Sequence, residues 1–344
     1  MRTNILILGA GWTSTFLLPL CTDRGLSCTG TSRAGRAHTV PFVFDPESED
    51  IEPYRVLPDA DTVVITFPIT VEGASERLVR CYRASRESAF RIGFVQLGTT
   101  GVWDGTRKTR GAAAAAAAAN DTTASTAPPP PPQPIANKWY DRHTPLASSP
   151  RGTAETELLA LNSPETPTTV LNLSGLWGGA RSPRNWVKMV APTKEALAAK
   201  GSVHMIHGID VARAILAVHN DFAKAAGQRW ILTDTRVYDW WDLASAWGVP
   251  APPPQTAVPA VEGQVVLASE NVKAKGEGEG ERKEEEEEEA RGPHARWVRE
   301  LMREQGVRAL PRDVGVLGRA LDGREFWEVF GISPLKARLE QSLL

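Results

Sequence analysis

With 344 residues, 39 Lys and Arg against 41 Asp and Glu, and a formal net charge of −2, the chain can form one large or two medium domains. It lacks the basic excess of a nucleic-acid or membrane-surface binder. Cys21, Cys28 and Cys81 make no C-x-x-C pair and no metal-ligand spacing, which points to a reduced, cytoplasmic protein without a metal. The uncharged run over residues 5–20 is short for a membrane span. It is interrupted by Gly9-Ala10-Gly11 and has no small-x-small cleavage site before Thr22-Asp23-Arg24, so it reads as neither a span nor a leader.

In chain order, an apolar strand over residues 4–8 runs directly into Gly9-Ala10-Gly11-Trp12-Thr13-Ser14. Gly9 permits a tight turn, and Gly11 lets the backbone approach a pyrophosphate. The following helix offers free N–H groups and its positive dipole end to the anion. Ser14 takes the third place of the G-x-G-x-x-G pattern and is small enough for the helix to pack on the strand. The expected phosphate loop is therefore Gly9, Gly11, Trp12, Thr13 and Ser14. The helix carries Phe16, Leu17 and Leu20 on one face. Strands are predicted over 27–32, 40–44 and 62–67, the last β-branched and stopped by Pro68. A helix over 72–85 follows, with Leu78, Val79 and Tyr82 as its apolar side, and then a strand over 92–97 ended by Gly98. Strand and helix in alternation predict an α/β fold, a Rossmann-type doubly wound parallel sheet.

Residues 105–135 hold an alanine run and a proline run and read as a disordered surface insertion, extended at the prolines. Order resumes near Trp139. A helix over 152–161, a strand over 168–173, a helix over 210–218 (Val211, Ile215 and Val218 inward), a strand over 229–232 and a helix over 240–247 are expected. Residues 250–292, proline-rich and then glutamate-rich, read as a second disordered insertion, a solvated linker. Two helical stretches marked by Trp297, Leu301 and Met302 and by Phe326, Trp327 and Phe330 make a small C-terminal cap. The expected organisation is a Rossmann domain over 1–249, the linker over 250–292 and the cap over 293–344.

The end of the second strand selects the dinucleotide. NAD sites place an acid there for the ribose 2′-hydroxyl, whereas NADP sites place a cation for the 2′-phosphate. Here Ser32 is followed by Arg33, with Arg36 close by and no acid before Asp45. NADP(H) is expected ahead of NAD(H), which stays open.

Three further segments, Gln96-Leu97-Gly98-Thr99-Thr100-Gly101-Val102-Trp103, Val170-Leu171-Asn172-Leu173-Ser174-Gly175-Leu176-Trp177-Gly178 and His204-Met205-Ile206-His207-Gly208-Ile209-Asp210-Val211-Ala212, occur in the order seen in one family. With the glycine loop they resemble the extended short-chain dehydrogenase/reductase superfamily, its NAD-dependent epimerase/dehydratase group. The G-x-G-W loop is most similar to the YeeZ-like branch. The resemblance implies a small-molecule substrate, a carbonyl, an aldehyde/alcohol pair or a nucleotide sugar, and leaves a homodimer possible. It implies that Thr99 orients the substrate oxygen as the catalytic hydroxyl and that Asp45 bonds the adenine amino group. It further places Thr66 and Phe67 at the nicotinamide ribose, Leu97 and Gly98 under the nicotinamide, and Arg181 beside the substrate cleft. At the family's Tyr-x-x-x-Lys the chain departs: Arg151 stands at the tyrosine position and Glu155 at the lysine position. Arginine cannot cycle protons near neutral pH. Tyr140 and His143 are the remaining acid–base candidates nearby. Glu155 is expected on the helix surface, and one of His204 and His207 buried with the other exposed. An enzyme of oxidoreductase or epimerase type and a non-catalytic NADP(H)-binding sensor both follow from this pattern.

Overall fold

A computed structural model describes residues 2–36, 38–86, 90–103, 138–247 and 292–339. The insertion expected over 105–135 and residues 250–291 of the expected linker lie outside the described residues. Seven strands, β1 (Arg2–Leu8), β2 (Cys28–Ser32), β3 (Thr39–Pro41), β4 (Asp59–Ile65), β5 (Gly93–Thr99), β6 (Thr168–Leu173) and β7 (Gln228–Leu232), form one sheet in the order β7-β6-β5-β4-β1-β2-β3. Every pairing in it is parallel. This is the Rossmann arrangement, and its strand order reverses between β1 and β4. In such sheets ligands bind beyond the carboxyl ends of the strands at that reversal, where Gly9 and Thr66 follow β1 and β4.

Helices cover both faces, so the central strands are buried on both sides, with apolar runs such as residues 5–8 of β1 and 63–65 of β4. Alternate residues of β1 serve opposite cores, as the twofold repeat of a strand requires. Ile5 and Ile7 pack with α1 (Ser14–Asp23) and α4 (Gly208–Asn220). Leu6 and Leu8 pack with α2 (Ala74–Ala84) and α3 (Pro150–Ala160). α3 starts where Ser149 accepts a hydrogen bond from the Gly152 amide at 3.1 Å and Pro150 opens the first turn, a favourable cap and first residue.

Two strands sit differently from their sequence expectation. β3 stops at Pro41 because its only partner in the sheet, β2, ends at Ser32 opposite it. Phe42, Val43 and Phe44 continue as a wall of the cleft. β4 begins at Asp59, since its polar start pairs with Arg2 and Thr3 of β1. It ends before Thr66, whose hydroxyl donates to the carbonyls of Leu8 and Gly9 at 3.0 and 2.6 Å.

The two C-terminal helices go to different cores. In α7 (Arg324–Phe330), Phe326 and Trp327 join the core under β7, and the Trp327 indole donates to the Thr233 carbonyl at 3.0 Å. α6 (His294–Glu304) packs Val298 and Leu301 against Trp240, Trp241 and Trp247 of α5 (Trp240–Trp247). Fully burying one such aromatic or leucine side chain is worth about 1.5–3 kcal/mol, so both helices are anchored to the body of the protein. Among the described residues no helix is long and apolar enough to cross a membrane.

Candidate active site

The glycine turn is held by neighbouring strand ends. Gly9 has φ +91°, and a Cβ there would lie 2.7 Å from Thr66 Oγ1, so only glycine fits without strain. Its amide donates to Thr31 Oγ1 at 3.0 Å, and the Ala10 amide donates to the Thr31 carbonyl. Ala10 in turn requires Gly30, where a Cβ would stand 2.8 Å from its own. Ser14 is buried and donates through Oγ to the Gly11 carbonyl at 2.6 Å, closing the loop onto α1. The amides of Trp12 and Thr13 precede the first helical turn and have no intrahelical carbonyl to reach, the condition under which a helix start receives an anion.

On one side of this turn lies a cavity of about 540 Å³ lined by Gly9, Ala10, Gly11, Ser32, Arg33, Arg36, Phe44, Thr66 and Phe67, among others. Among the described residues no carboxylate lines it. Arg36 is fixed at its mouth by a hydrogen bond from Nη2 to the Ala10 carbonyl at 3.1 Å and by its amide on Ser32 Oγ at 3.0 Å. The stacked rings of Phe44 and Phe67, 5.4 Å apart, form an apolar wall suited to a planar base. Asp45 is absent from this lining; its Oδ1 accepts from the Glu47 amide at 2.9 Å in a local turn.

On the other side a smaller cavity of about 240 Å³ is lined by Gly11, Trp12, Thr13, Thr66, Leu97, Gly98, Arg151, Leu173, Leu176 and Arg181. Gly11 and Thr66 line both cavities, so the two make one cleft across the ends of β1, β4 and β5. Trp12 ties the glycine loop to the far wall by donating to the Gly178 carbonyl at 2.9 Å, and Arg181 stacks over its indole at 4.6 Å.

Beneath this second cavity lies a polar network that the sequence did not announce. Glu155 is 2% exposed, not on the helix surface as expected. Its carboxylate accepts from Asn172 Nδ2 at 2.7 Å, pairs with Arg229 and lies 3.5 Å from Arg151 Nε. Asn172 also donates to the Thr99 carbonyl at 3.1 Å, and Arg151 Nη2 donates to the Leu97 carbonyl at 3.0 Å. Burial pulls the Arg151 and Arg229 guanidiniums below their ordinary value, against the opposing pull of Glu155. The network explains Gly98. A Cβ there would come within 2.3 Å of the Asn172 amide and 2.6 Å of Glu155. The available signals were the i,i+4 spacing of Arg151 and Glu155, and Asn172 and Arg229 standing inside strand segments.

The other candidates lie apart from the cleft lining. Thr99 lines neither cavity; its Oγ1 accepts from the Gly101 amide at 3.2 Å. Tyr140 packs beside Val102, Trp103, Ile231 and Leu321, and His143 is exposed against Glu325. His204 and His207 are both buried, which corrects the expected split. His204 Nε2 accepts from the Leu321 amide at 3.0 Å, and burial beside Arg319 lowers its pKa to about 3. His207 Nδ1 caps α4 by accepting from the Ile209 amide at 3.1 Å.

No protein-family model matches the chain, and no curated protein matches it by sequence. Solved structures do. A candidate NAD-dependent epimerase/dehydratase from Methylobacillus flagellatus aligns at TM-score 0.54 and 16% identity, over 99% of this chain and 96% of that one. MoeE5 in complex with UDP-glucose and NAD aligns at 0.52 and 12% identity, over 99% and 97%. A UDP-galactose 4-epimerase aligns at 0.51 and 12% identity, over 98% and 96%. The chain has their fold. The likeness covers at least 98% of this chain and at least 96% of each of the others.

Proposed function

We propose that this chain is an NAD(P)-dependent protein of the short-chain dehydrogenase/reductase type, with NADP(H) preferred over NAD(H). The observation that carries the reading is the Gly9 turn, opening at the strand-order reversal into a cleft whose larger half presents Arg33 and Arg36 and, among the described residues, no carboxylate. Gly11, Trp12, Thr13 and Ser14 would hold the diphosphate, Ser32, Arg33 and Arg36 the 2′-phosphate, and Phe44 and Phe67 the adenine. Thr66, Leu97 and Gly98 would border the nicotinamide, a group that supplies hydride when bound. The substrate class is a carbonyl, an aldehyde/alcohol pair or a nucleotide sugar, as for the relatives the sequence resembles.

The arrangement also bears on the proton. The polar side chains lining the smaller cavity are those of Trp12, Thr13, Thr66, Arg151 and Arg181, none of which exchanges protons readily near neutral pH. A substrate oxygen there would be held by a guanidinium, with water as its proton source. This favours a second reading, an NADP(H)-binding sensor without turnover. Titration of purified protein with NADPH and NADH, followed by nicotinamide fluorescence, tests binding. Incubation with aldehydes, ketones and nucleotide sugars, with product analysis to catch a silent redox cycle, tests turnover. Tight NADPH binding with a converted substrate supports the enzyme, and binding with no product from any of them supports the sensor. No binding of either dinucleotide at millimolar concentration refutes both.

A further inference from the structure

We propose that the smaller cavity is a receptor for a small oxyanion, a carboxylate or phosphate group carried by the substrate, gripped between Arg151 and Arg181. The inference deepens the dinucleotide reading and rests on it for the position of the cofactor.

Three observations converge. First, both guanidiniums line the same cavity of about 240 Å³, and among the described residues no carboxylate lines it. The one carboxylate of the network, Glu155, lies beneath the cavity wall and is shared by Arg151 and Arg229. Counting Arg181, three guanidiniums stand against a single carboxylate. A surplus of positive charge in a recess with apolar walls (Leu97, Leu173 and Leu176) is strongly attractive to an anion. Second, Arg151 is held in place before any ligand arrives. Nη2 is committed to the Leu97 carbonyl at 3.0 Å and Nε faces Glu155 at 3.5 Å, while the side chain stays 29% exposed. A guanidinium carries five N–H donors in a fixed fork, so donors remain for an oxyanion at little further loss of side-chain freedom. Third, Arg181 arrives from a separate loop and is also positioned. Its guanidinium carbon lies over the Trp12 indole, 4.6 Å from the ring centroid, and its loop is closed by the paired backbone hydrogen bonds between Gly178 and Arg181. A Cβ on Gly178 would collide with His207 at 2.2 Å, which fixes where that loop can run.

Arg151 lines the cavity beside Leu97 and Gly98, which would border the nicotinamide, while Arg181 lies over Trp12 of the loop that would receive the cofactor's diphosphate. The receptor is assigned to the partner of the dinucleotide from the place of Arg151 at the nicotinamide end. A neutral sugar or a simple aldehyde would cover the half-buried Arg151 without supplying a charge for its remaining donors, so acidic substrates are favoured over their neutral isosteres.

Malonate serves as the carboxylate probe, inorganic phosphate as the second oxyanion, and malonamide as the neutral isostere. Each is titrated by calorimetry into the full-length protein, alone and with saturating NADPH. Malonate or phosphate should bind in both states, compete for one site, weaken with added salt, and exceed malonamide by at least tenfold; the tighter of the two names the acidic group of the substrate. Arg181→Gln and Arg151→Lys should each weaken that binding about tenfold. Arg151→Lys keeps the charge near Glu155 and guards against loss of folding, with circular dichroism as the control. Oxyanion affinity of these variants should fall by more than their NADPH affinity does. Absence of oxyanion binding, or binding untouched by both substitutions, overturns the receptor. So does loss of oxyanion binding on saturation with NADPH, which would return the two arginines to the cofactor's diphosphate. Oxyanion binding that depends on Arg151 in a protein that ignores NADPH would leave the receptor standing and remove the dinucleotide reading instead.

Discussion

The two halves of the cleft are built by different means. The larger half is organised by backbone: a glycine at φ +91° and short hydroxyl side chains that lock its loop to β2 and β4. The residues that line it all lie within residues 9–71. The smaller half is made by side chains that arrive from residues 11 to 181 and stand on a buried charge network. Backbone geometry presents general anion-binding groups and tolerates little variation. A side-chain floor such as that of Arg151, Glu155, Asn172 and Arg229 can be rebuilt without moving the backbone.

The contrast is tested most strongly by removing the charge under the smaller half. Glu155→Gln leaves Arg229 buried against a neutral amide, with its side chain only 9% exposed. Breaking one side of a buried ion pair costs about 3–5 kcal/mol. Urea denaturation should show a loss of that size, and Glu155→Gln with Arg229→Met should recover a large part of it. A loss below about 1 kcal/mol would mean that the network is not what supports this half.

A second effect of several kcal/mol comes from pH, also on the smaller-half side. His204 sits between the Gly175–Trp177 segment behind Leu176 and the strand at Leu321, and its pKa is lowered to about 3. The unfolded chain takes up this proton near its ordinary value of about 6.5, while the folded protein resists it down to about 3. Between those values the unfolded state binds more protons, so stability falls as pH falls, by up to about 1.4 kcal/mol per pH unit from this group. Denaturation midpoints of the parent protein and of His204→Gln, compared at pH 7 and pH 5, should converge on acidification. Parallel curves would exclude His204 as the source.

The larger half was legible because its logic is local. The apolar strand, Gly9, Gly11, Ser14 and the arginines after β2 follow one another, and each residue type has one physical reason to be there. The alternation that predicted the parallel sheet is local too, and β6 and α5 occupy the residues expected. β3 and β4 shifted because strand ends are decided by partners: β2 stops at Ser32, and Arg2 pairs with Asp59. Neither partner is visible from the segment itself. Glu155 was misplaced for the same kind of reason. A glutamate near a helix start reads as exposed unless Arg229 and Asn172, 74 and 17 residues away, are known to converge on it.

If backbone makes the larger half, a single methyl group should damage it. Gly9→Ala must hold φ +91° and place its Cβ against the Thr66 hydroxyl. A strained left-handed residue costs on the order of 1–3 kcal/mol. Stability should fall by about 2 kcal/mol and NADPH binding should be lost, while malonate binding at the smaller half persists. Equal damage to both ligands would show that the two halves are not separately built.

The smallest expected change is a side-chain effect within the backbone-built half, and it sharpens where the boundary lies. Arg33 lines the larger cavity and makes no ion pair among the described residues, so Arg33→Glu should not unfold the protein. A carboxylate there would repel a 2′-phosphate, whereas it could accept from a ribose hydroxyl. NADPH affinity should fall about tenfold, equivalent to about 1.4 kcal/mol, with NADH affinity unchanged or improved. Arg36 is tied to Ala10 and Ser32, so Arg36→Glu should disturb both dinucleotides through the loop itself. Equal losses for NADPH and NADH in Arg33→Glu would show that this arginine senses only the shared diphosphate. Cofactor choice would then fall to Arg36 and Ser32, which the backbone places.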